Sequence, residues 1–333
     1  MPEFTVYKGS KDQKINQSKS TRDVGSKEVL LRVTHSGLCG TDVHYKGADM
    51  VLGHEGVGVV EQVGEQVSLH KKGDRVGWGY NHSCCNHCRQ CLSGADIFCP
   101  ERKLYGAADL DQGSFASHAV WDENFVFAIP EALASEHAAP LQCGGITVYS
   151  ALQMYPVSAD DRVGIIGVGG LGHLAIQFAA KMGCEVVVFS GTDSKKDEAL
   201  KLGASEFYAT KDKKELKLEG NKGIDRLIIT ASVQIDWALY MPLMNPRASI
   251  YPLSVSEDDL KVPYMALLAN GLRVQGSVVG SKQIHKDMLA FSAAQGVKPI
   301  IETFPLNEKG INEAFDKLEN GNMRYRGVLV AEN

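Results

Sequence analysis

The chain has 333 residues, enough for two domains of ordinary size. Its composition is 44% hydrophobic and 23% charged, which is typical of a globular protein and excludes a disordered or fibrous one. The net charge of −5 and the lack of a long apolar run predict no nucleic-acid or membrane partner. No basic segment leads into an apolar run at the N-terminus, so we expect a cytoplasmic protein.

The first third of the chain predicts β-structure. Short apolar segments at 28–37, 56–64 and 73–80 are separated by glycine and polar turns. A helical stretch is predicted to follow at 137–155.

From residue 162 onwards, strands alternate with helices. Continuous apolar strands are predicted at 162–166, 185–190, 223–232 and 247–253, with helices between them at 171–182, 194–204 and 237–244. This alternation predicts a doubly wound parallel sheet. The lysine-rich segment 211–222 is predicted to be a solvated helix or loop, and 326–333 a final strand.

Four of the eight cysteines have the spacing C-x2-C-x2-C-x7-C, namely Cys85, Cys88, Cys91 and Cys99. Such close spacing lets one stretch of chain surround a single ion, so it predicts a structural zinc site with four thiolate ligands. Cys84 is a fifth thiol outside this spacing, and we treat it as a bystander. A nucleic-acid-binding zinc module is the alternative, but few basic residues lie nearby.

A glycine-rich loop follows the strand at 162–166 and opens the next helix. The six residues Gly167, Val168, Gly169, Gly170, Leu171 and Gly172 match G-x-G-x-x-G. The first glycine allows a tight turn, the second lets a pyrophosphate approach the backbone, and the third lets the helix pack on the strand. In this context the motif predicts a dinucleotide site.

The end of the next strand indicates which dinucleotide binds. Ser190 stands where an acidic residue would select NAD, and Gly191 follows it as a further coenzyme-binding position. Thr192, Ser194, Lys195 and Lys196 then offer hydroxyls and positive charge for a 2′-phosphate. The sequence therefore favours NADP(H). Asp193 keeps NAD open, because its carboxylate could bind the ribose instead.

Several motifs stand in a fixed order: CGTD at 39–42, GHEGVG at 53–58, GDRVG at 73–77, QGSFASH at 112–118 and CGGITVYS at 143–150. With the cysteine cluster and the glycine loop, they make nearly the whole chain resemble the zinc-containing medium-chain alcohol dehydrogenases, in particular the NADP-dependent branch of the cinnamyl alcohol dehydrogenase type. The resemblance implies an α/β fold with a GroES-like β-rich catalytic domain, 1–149 and 283–333, and a Rossmann coenzyme domain, 150–282. It also suggests a homodimer.

The resemblance further implies a second, catalytic zinc, and thus two Zn²⁺ per chain. Cys39, His54 and Cys143 would be its ligands, with one coordination position open for substrate. Glu55 would lie behind the metal and ligate it transiently, while Asp42 would orient His54.

The remaining implied roles concern proton transfer and the coenzyme. Thr41 would take the proton of the substrate oxygen and pass it, through the ribose hydroxyl of the coenzyme, towards His44, which exchanges it with water. Further implied coenzyme contacts are Thr41, Thr147, Thr230, Ser277, Val278 and Val279. Six other histidines match no catalytic position: His35, His70, His118, His137, His173 and His285.

The expected activity is hydride transfer between NADP(H) and a small primary alcohol or aldehyde, favouring aldehyde reduction. An NAD-dependent polyol or secondary-alcohol dehydrogenase and a non-catalytic zinc protein remain alternatives. Only fourteen residues separate Cys39 from His54, fewer than is usual in the family. The sequence therefore does not decide the shape of the pocket rim or whether aromatic alcohols are preferred. Trp78 and Tyr80 fit either the pocket lining or the core.

Overall fold

The computed structural model describes residues 2–154, 157–256 and 258–332. The chain divides into two compact units, one formed by Met1–Ile146 with Val279–Asn333 and the other by Thr147–Val278. Within the described residues, every helix is too short or too polar to cross a membrane.

The strands, in chain order, are β1 Glu3–Lys8, β2 Asn16–Thr21, β3 Glu28–Leu38, β4 Gly56–Val63, β5 Arg75–Trp78, β6 Asn81–Ser83, β7 Lys103–Leu104, β8 His118–Asp122, β9 Val126–Ala128, β10 Arg162–Ile166, β11 Glu185–Ser190, β12 Glu206–Ala209, β13 Ile224–Ile229, β14 Met244–Pro252, β15 Arg273–Val274, β16 Ile301–Pro305 and β17 Arg326–Val330. The helices are α1 Gly40–His44, α2 Arg89–Leu92, α3 Ser135–Ala138, α4 Gly144–Met154, α5 Gly172–Lys181, α6 Lys196–Lys201, α7 Trp237–Tyr240, α8 Tyr264–Asn270, α9 Lys282–Gln295 and α10 Glu308–Glu319.

The first unit is built on a seven-stranded sheet in the order β16-β17-β3-β4-β5-β9, with β8 also paired to β3. Strand β17 comes from the end of the chain and pairs antiparallel with β3, so that Gly327 lies opposite Leu38. Alternate residues of β3, such as Leu31 and Val33, are buried in a core that includes Trp78, Trp121 and the α10 residue Phe315. Both ends of the chain therefore contribute to one core.

The second unit is a six-stranded sheet in the order β12-β11-β10-β13-β14-β15, with all neighbouring strands parallel. In chain order this is 3-2-1-4-5-6, the strand order of dinucleotide-binding α/β sheets. The order reverses between β10 and β13, so the loops after these two strands lie side by side at the edge where such sheets bind nucleotides.

The doubly wound parallel sheet is confirmed, and each predicted strand matches an observed one. The stretch 137–155 was expected to be one helix, but α3 and α4 are separated by a 3-10 turn at Ala139–Gln142. Pro140 in this turn lacks the N–H that a continuous helix requires, which explains the break; residue 155 lies outside the described residues. Segment 211–222 is mostly exposed turn and loop.

Candidate active site

Three predicted zinc ligands and Glu55 converge in the first unit. Cys39 precedes α1, His54 and Glu55 precede β4, and Cys143 lies between the 3-10 turn and α4. One ligand atom from each of the four residues lies within 4.8 Å of the others. Residues separated by up to 104 positions in the chain are thus brought to one point.

The turn that carries His54 depends on glycine. Gly53 has φ +88°, a left-handed conformation that side chains avoid, and an added Cβ would lie 2.4 Å from the Phe115 ring. Two residues after His54, a Cβ on Gly56 would meet the Trp78 ring at 2.3 Å. The GHEG segment is therefore fixed by close packing, and Trp78 belongs to the core rather than to a pocket.

The ring of His54 is held by Asp42. The Nδ1 atom of His54 lies 3.0 Å from Asp42 Oδ1, and both side chains are fully buried. Because a carboxylate only accepts hydrogen bonds, Nδ1 is the donor, and the neutral form of the ring that a metal ligand requires would carry its lone pair on Nε2. The Asp42 side chain also accepts from the backbone N–H of Cys39 at 2.9 Å and from that of Gly53 at 3.1 Å.

This set of residues fits a zinc ion. The Nε2 atom of His54 is buried and makes no hydrogen bond, which is costly unless the atom binds something else. Hydrogen bonding with Cys143 lowers the pKa of Cys39 well below its usual range, although burial raises it, so Cys39 is suited to be a thiolate ligand. Two sulfurs and one imidazole nitrogen are the donor set of a catalytic zinc site with an open position.

Sequence reasoning missed two residues that support this cluster. Arg326 on β17 is buried and forms an ion pair with Glu55, with one guanidinium nitrogen 2.5 Å from Glu55 Oε2. Burial raises the pKa of Glu55 to about 7, although Arg326 opposes the shift. Tyr105 donates a 2.8 Å hydrogen bond to Asp42, and its ring lies 4.5 Å from that of His54. Arg326 and Tyr105 lie far along the chain from Glu55 and Asp42, so no local sequence pattern indicated these contacts.

Gln142, the neighbour of Cys143, is also held in place. His285 on α9 donates from Nε2 to Gln142 Oε1 at 2.9 Å, and its ring stacks on Phe127 at 3.9 Å. Burial alone lowers the pKa of His285 to about 3, so this ring stays neutral. Tyr80, from the same segment as Trp78, places its ring edge-on to His54 at 5.6 Å.

The two residues implied in proton transfer lie on α1. Thr41 Oγ1 is 3.7 Å from the sulfur of Cys39, so the hydroxyl lies beside the ligand cluster. His44 is at the end of the same helix and is exposed to solvent.

The four cysteines of the close spacing also meet. Sulfur–sulfur distances are 3.5 Å for Cys85–Cys99, 3.6 Å for Cys88–Cys91 and 3.9 Å for Cys85–Cys91. Zinc–sulfur bonds of about 2.3 Å in a tetrahedron require about 3.8 Å between sulfurs, so the geometry fits Zn²⁺. Cys84 lies outside the set of four, but its sulfur is 3.6 Å from that of Cys91.

In the second unit, the glycine loop follows β10. Gly167 has φ +96°, and a Cβ on Gly172 would lie 2.0 Å from the Gly167 carbonyl oxygen, so both positions require glycine. A Cβ on Gly169 would meet nothing within 4 Å, which leaves the backbone open to a ligand. His173, assigned no role from the sequence, bonds through Nδ1 to the Gly169 carbonyl at 2.8 Å and so supports the loop.

The residues expected to select the coenzyme lie around the same loop. Lys195 Nζ donates to the Val168 carbonyl at 2.6 Å, and Ser190 ends the neighbouring strand β11. The hydroxyls of Thr192 and Ser194 lie 2.9 Å apart and are exposed. The Thr230 hydroxyl, after β13, donates to the carbonyls of Ile166 and Gly167 at 2.8 and 3.1 Å.

The remaining expected coenzyme contacts differ in exposure. Val278 is exposed and Val279 is buried, with Val279 at φ +36°, a rare conformation for a β-branched residue. Gly191 is exposed in the loop after β11, Thr147 is partly buried on α4, and Ser277 is partly buried.

Comparisons with known proteins agree with this geometry. A model of the alcohol dehydrogenase GroES-like domain matches residues 25–131, and a model of the zinc-binding dehydrogenases matches 170–294. The NADP-dependent alcohol dehydrogenase C 1 of Mycolicibacterium smegmatis is 36% identical over 92% of this chain and 91% of its own length. The chain belongs to the zinc-binding alcohol dehydrogenase family. The resemblance, the GroES-like plus Rossmann-like fold and the assignment as an oxidoreductase are thereby confirmed.

Solved structures give the same result for this dehydrogenase. A cinnamyl alcohol dehydrogenase from Sorghum bicolor superposes with a TM-score of 0.91 and 32% identity, over 99% of this chain and 98% of its own. A cinnamyl alcohol dehydrogenase from Helicobacter pylori, complexed with NADP(H), has a TM-score of 0.89 and 28% identity, over 98% of both chains.

Proposed function

We propose that this dehydrogenase transfers hydride between NADP(H) and a small primary alcohol or aldehyde, and that it mainly reduces aldehydes. The observation that carries the proposal is the buried cluster of Cys39, His54 and Cys143, in which His54 Nε2 has no hydrogen-bond partner. A catalytic domain of residues 1–149 and 283–333 would carry this chemistry, and a coenzyme domain of residues 150–282 would bind the nucleotide. Zinc would be a Lewis acid on the substrate oxygen, and NADPH the hydride donor.

The residues around the cluster would orient the ligands and move the proton. Asp42 fixes the tautomer of His54, so that Nε2 stays available as a ligand. The Thr41 hydroxyl beside Cys39 would supply the proton to the forming alcohol, and exposed His44 would take a proton from water and return it to Thr41 through the ribose hydroxyl of the coenzyme. Arg326 neutralises Glu55 and keeps this carboxylate from binding the metal permanently.

The preference for NADP(H) rests on charge. Lys195 is anchored to the glycine loop through Val168, and β11 ends in Ser190 instead of an acidic residue. A 2′-phosphate placed after β11 would meet a cation and hydroxyls rather than a carboxylate. Exposed Asp193 is the acidic residue nearest to Ser190 in the sequence. If the enzyme prefers NADH, Asp193 would be the residue that contacts the ribose. That result would favour a polyol or secondary-alcohol dehydrogenase.

The test is reduction of a panel of aliphatic and aromatic aldehydes with NADPH and with NADH, followed at the nicotinamide absorbance. We expect turnover with NADPH and a lower kcat/KM with NADH. Cys143→Ser is expected to lose turnover and one zinc, while the matched variant Cys184→Ser, which alters a buried thiol of the other unit, keeps both. Turnover by Cys143→Ser equal to that of the wild type would contradict the assignment.

We further propose that the chain is a cytoplasmic homodimer. None of the eight cysteines, all of which lie within the described residues, forms a disulfide, as expected in a reducing compartment. β15 is the last strand in the order of its sheet, and nearby α8 exposes Tyr264, Met265 and Leu268. An exposed strand edge beside apolar side chains favours association with a second copy. Light scattering on the purified chain tests this, with Met265→Lys expected to yield monomers.

A further inference from the structure

Cys84 lies against the four-cysteine cluster at the distance that separates two ligands. Its sulfur is 3.6 Å from the sulfur of Cys91, the same distance as between Cys88 and Cys91. Sulfurs bound to one tetrahedral zinc are about 3.8 Å apart. A fifth thiol therefore borders the position of Cys91.

The Cys84 side chain is held there by its neighbours. Its thiol donates to Asn86 Oδ1 at 3.3 Å, and the Asn86 amide donates back to the Cys84 carbonyl at 3.2 Å. Asn86 has φ +63°, and Lys282 Nζ bonds to its Oδ1 at 2.5 Å. Lys282 in turn lies 3.8 Å from Asp96. The turn that carries Cys84 is thus anchored to α9.

We propose that Cys84 is a reserve ligand of the structural zinc, which takes the place of Cys91 when Cys91 leaves the metal. The bond between zinc and the Cys91 sulfur breaks, the bond between zinc and the Cys84 sulfur forms, and the proton of the Cys84 thiol passes to the Cys91 thiolate. Four thiolates and the same charge surround the ion before and after, so no oxidant is needed.

Metal analysis of full-length variants tests the exchange, which rests on the zinc site of the proposed function. We expect two zincs per chain in the wild type, two in Cys91→Ser, and one in the Cys84→Ser/Cys91→Ser double variant. Cys99→Ser is the matched control and should retain one, because the sulfur of Cys99 contacts Cys85 and Cys91, whereas that of Cys84 contacts Cys91. One zinc in Cys91→Ser, or two in the double variant, would overturn the proposal. Fewer than two in the wild type would instead count against the proposed function.

A second measurement needs no ligand to be removed. Zinc release from folded protein to a chromophoric chelator is recorded for wild type, Cys84→Ser and the thiol control Cys184→Ser. The kinetic phase of zinc release that is absent in Cys99→Ser is assigned to the structural zinc, because this variant lacks one ligand of that site. We expect this phase to be about tenfold faster in Cys84→Ser and unchanged in Cys184→Ser. Equal rates in wild type and Cys84→Ser would refute a reserve ligand, whether or not Cys91→Ser folds.

Discussion

The neutral ring of His285 makes the first unit sensitive to acid. This side chain is 5% exposed, and burial lowers its pKa to about 3 from an ordinary value of 6.5. In the unfolded chain, His285 therefore becomes protonated near pH 6.5, whereas in the folded chain it becomes protonated only near pH 3. Since protons then favour the unfolded state, stability is lost as the pH falls through 6.5.

The size of the effect at pH 5 depends almost entirely on the unfolded pKa. At pH 5 the ring in the folded protein is still neutral. The same pH lies about 1.5 units below the pKa of this ring in the unfolded chain. At 1.36 kcal/mol per unit, His285 removes about 2 kcal/mol of unfolding free energy between pH 8 and pH 5.

The assay is urea unfolding followed by tryptophan fluorescence at both pH values. Trp78 and Trp121 share a unit with His285, whereas Trp237 lies in the other, so a Trp237→Phe background isolates the relevant transition. His285→Gln places a donor near the Nε2 position but does not titrate. The other titratable groups and the zinc ligands change the unfolding free energy with pH by the same amount in both proteins. Their contributions therefore cancel when the two proteins are compared.

We expect the wild type to lose about 2 kcal/mol more than His285→Gln between pH 8 and pH 5. The variant itself should be less stable at pH 8, because the stacking on Phe127 is lost. Equal losses in the two proteins would refute the argument that a buried neutral histidine supports Gln142.

Three further predictions concern the two sites. Arg326→Leu should cost about 3–5 kcal/mol of unfolding free energy because it leaves Glu55 buried without its cation, and thermal unfolding should show partial recovery with Glu55→Gln added. Asp42→Asn should weaken zinc binding by about 10–100-fold in chelator competition, and an unchanged affinity would argue against its positioning role. Lys195→Ala should weaken NADPH binding by about tenfold in fluorescence titration while leaving NADH binding unchanged; equal weakening of both would contradict a phosphate contact.

The sequence could predict those parts of the protein that depend on neighbours along the chain. The glycine loop is such a case, because Gly167 and Gly172 meet each other five residues apart. The zinc cluster at 85–99 is another, because its spacing alone brings the sulfurs together. Strands β10 and β11 were recognisable because burial on both faces makes them continuously apolar.

The catalytic cluster could be assembled only through the family resemblance, because its ligands lie on separate segments. Arg326 was missed for the same reason, since 271 positions separate it from Glu55 and an arginine in a terminal strand has no distinctive pattern. Tyr105 contacts Asp42 across 63 positions. The hairpin β1–β2 and the helices α9 and α10 also escaped prediction.

The position of Arg326 has a consequence for biosynthesis. The cation that pairs with Glu55 lies 271 positions later in the chain, on strand β17, which pairs with β3. Until β17 has been synthesised, the carboxylate of Glu55 has no cationic partner to be buried with. The cysteines of both clusters are synthesised earlier, because they precede β17 in the chain. The first unit therefore cannot complete its fold before β17 has been synthesised, and a truncation before residue 326 removes the partner of a buried carboxylate together with the strand.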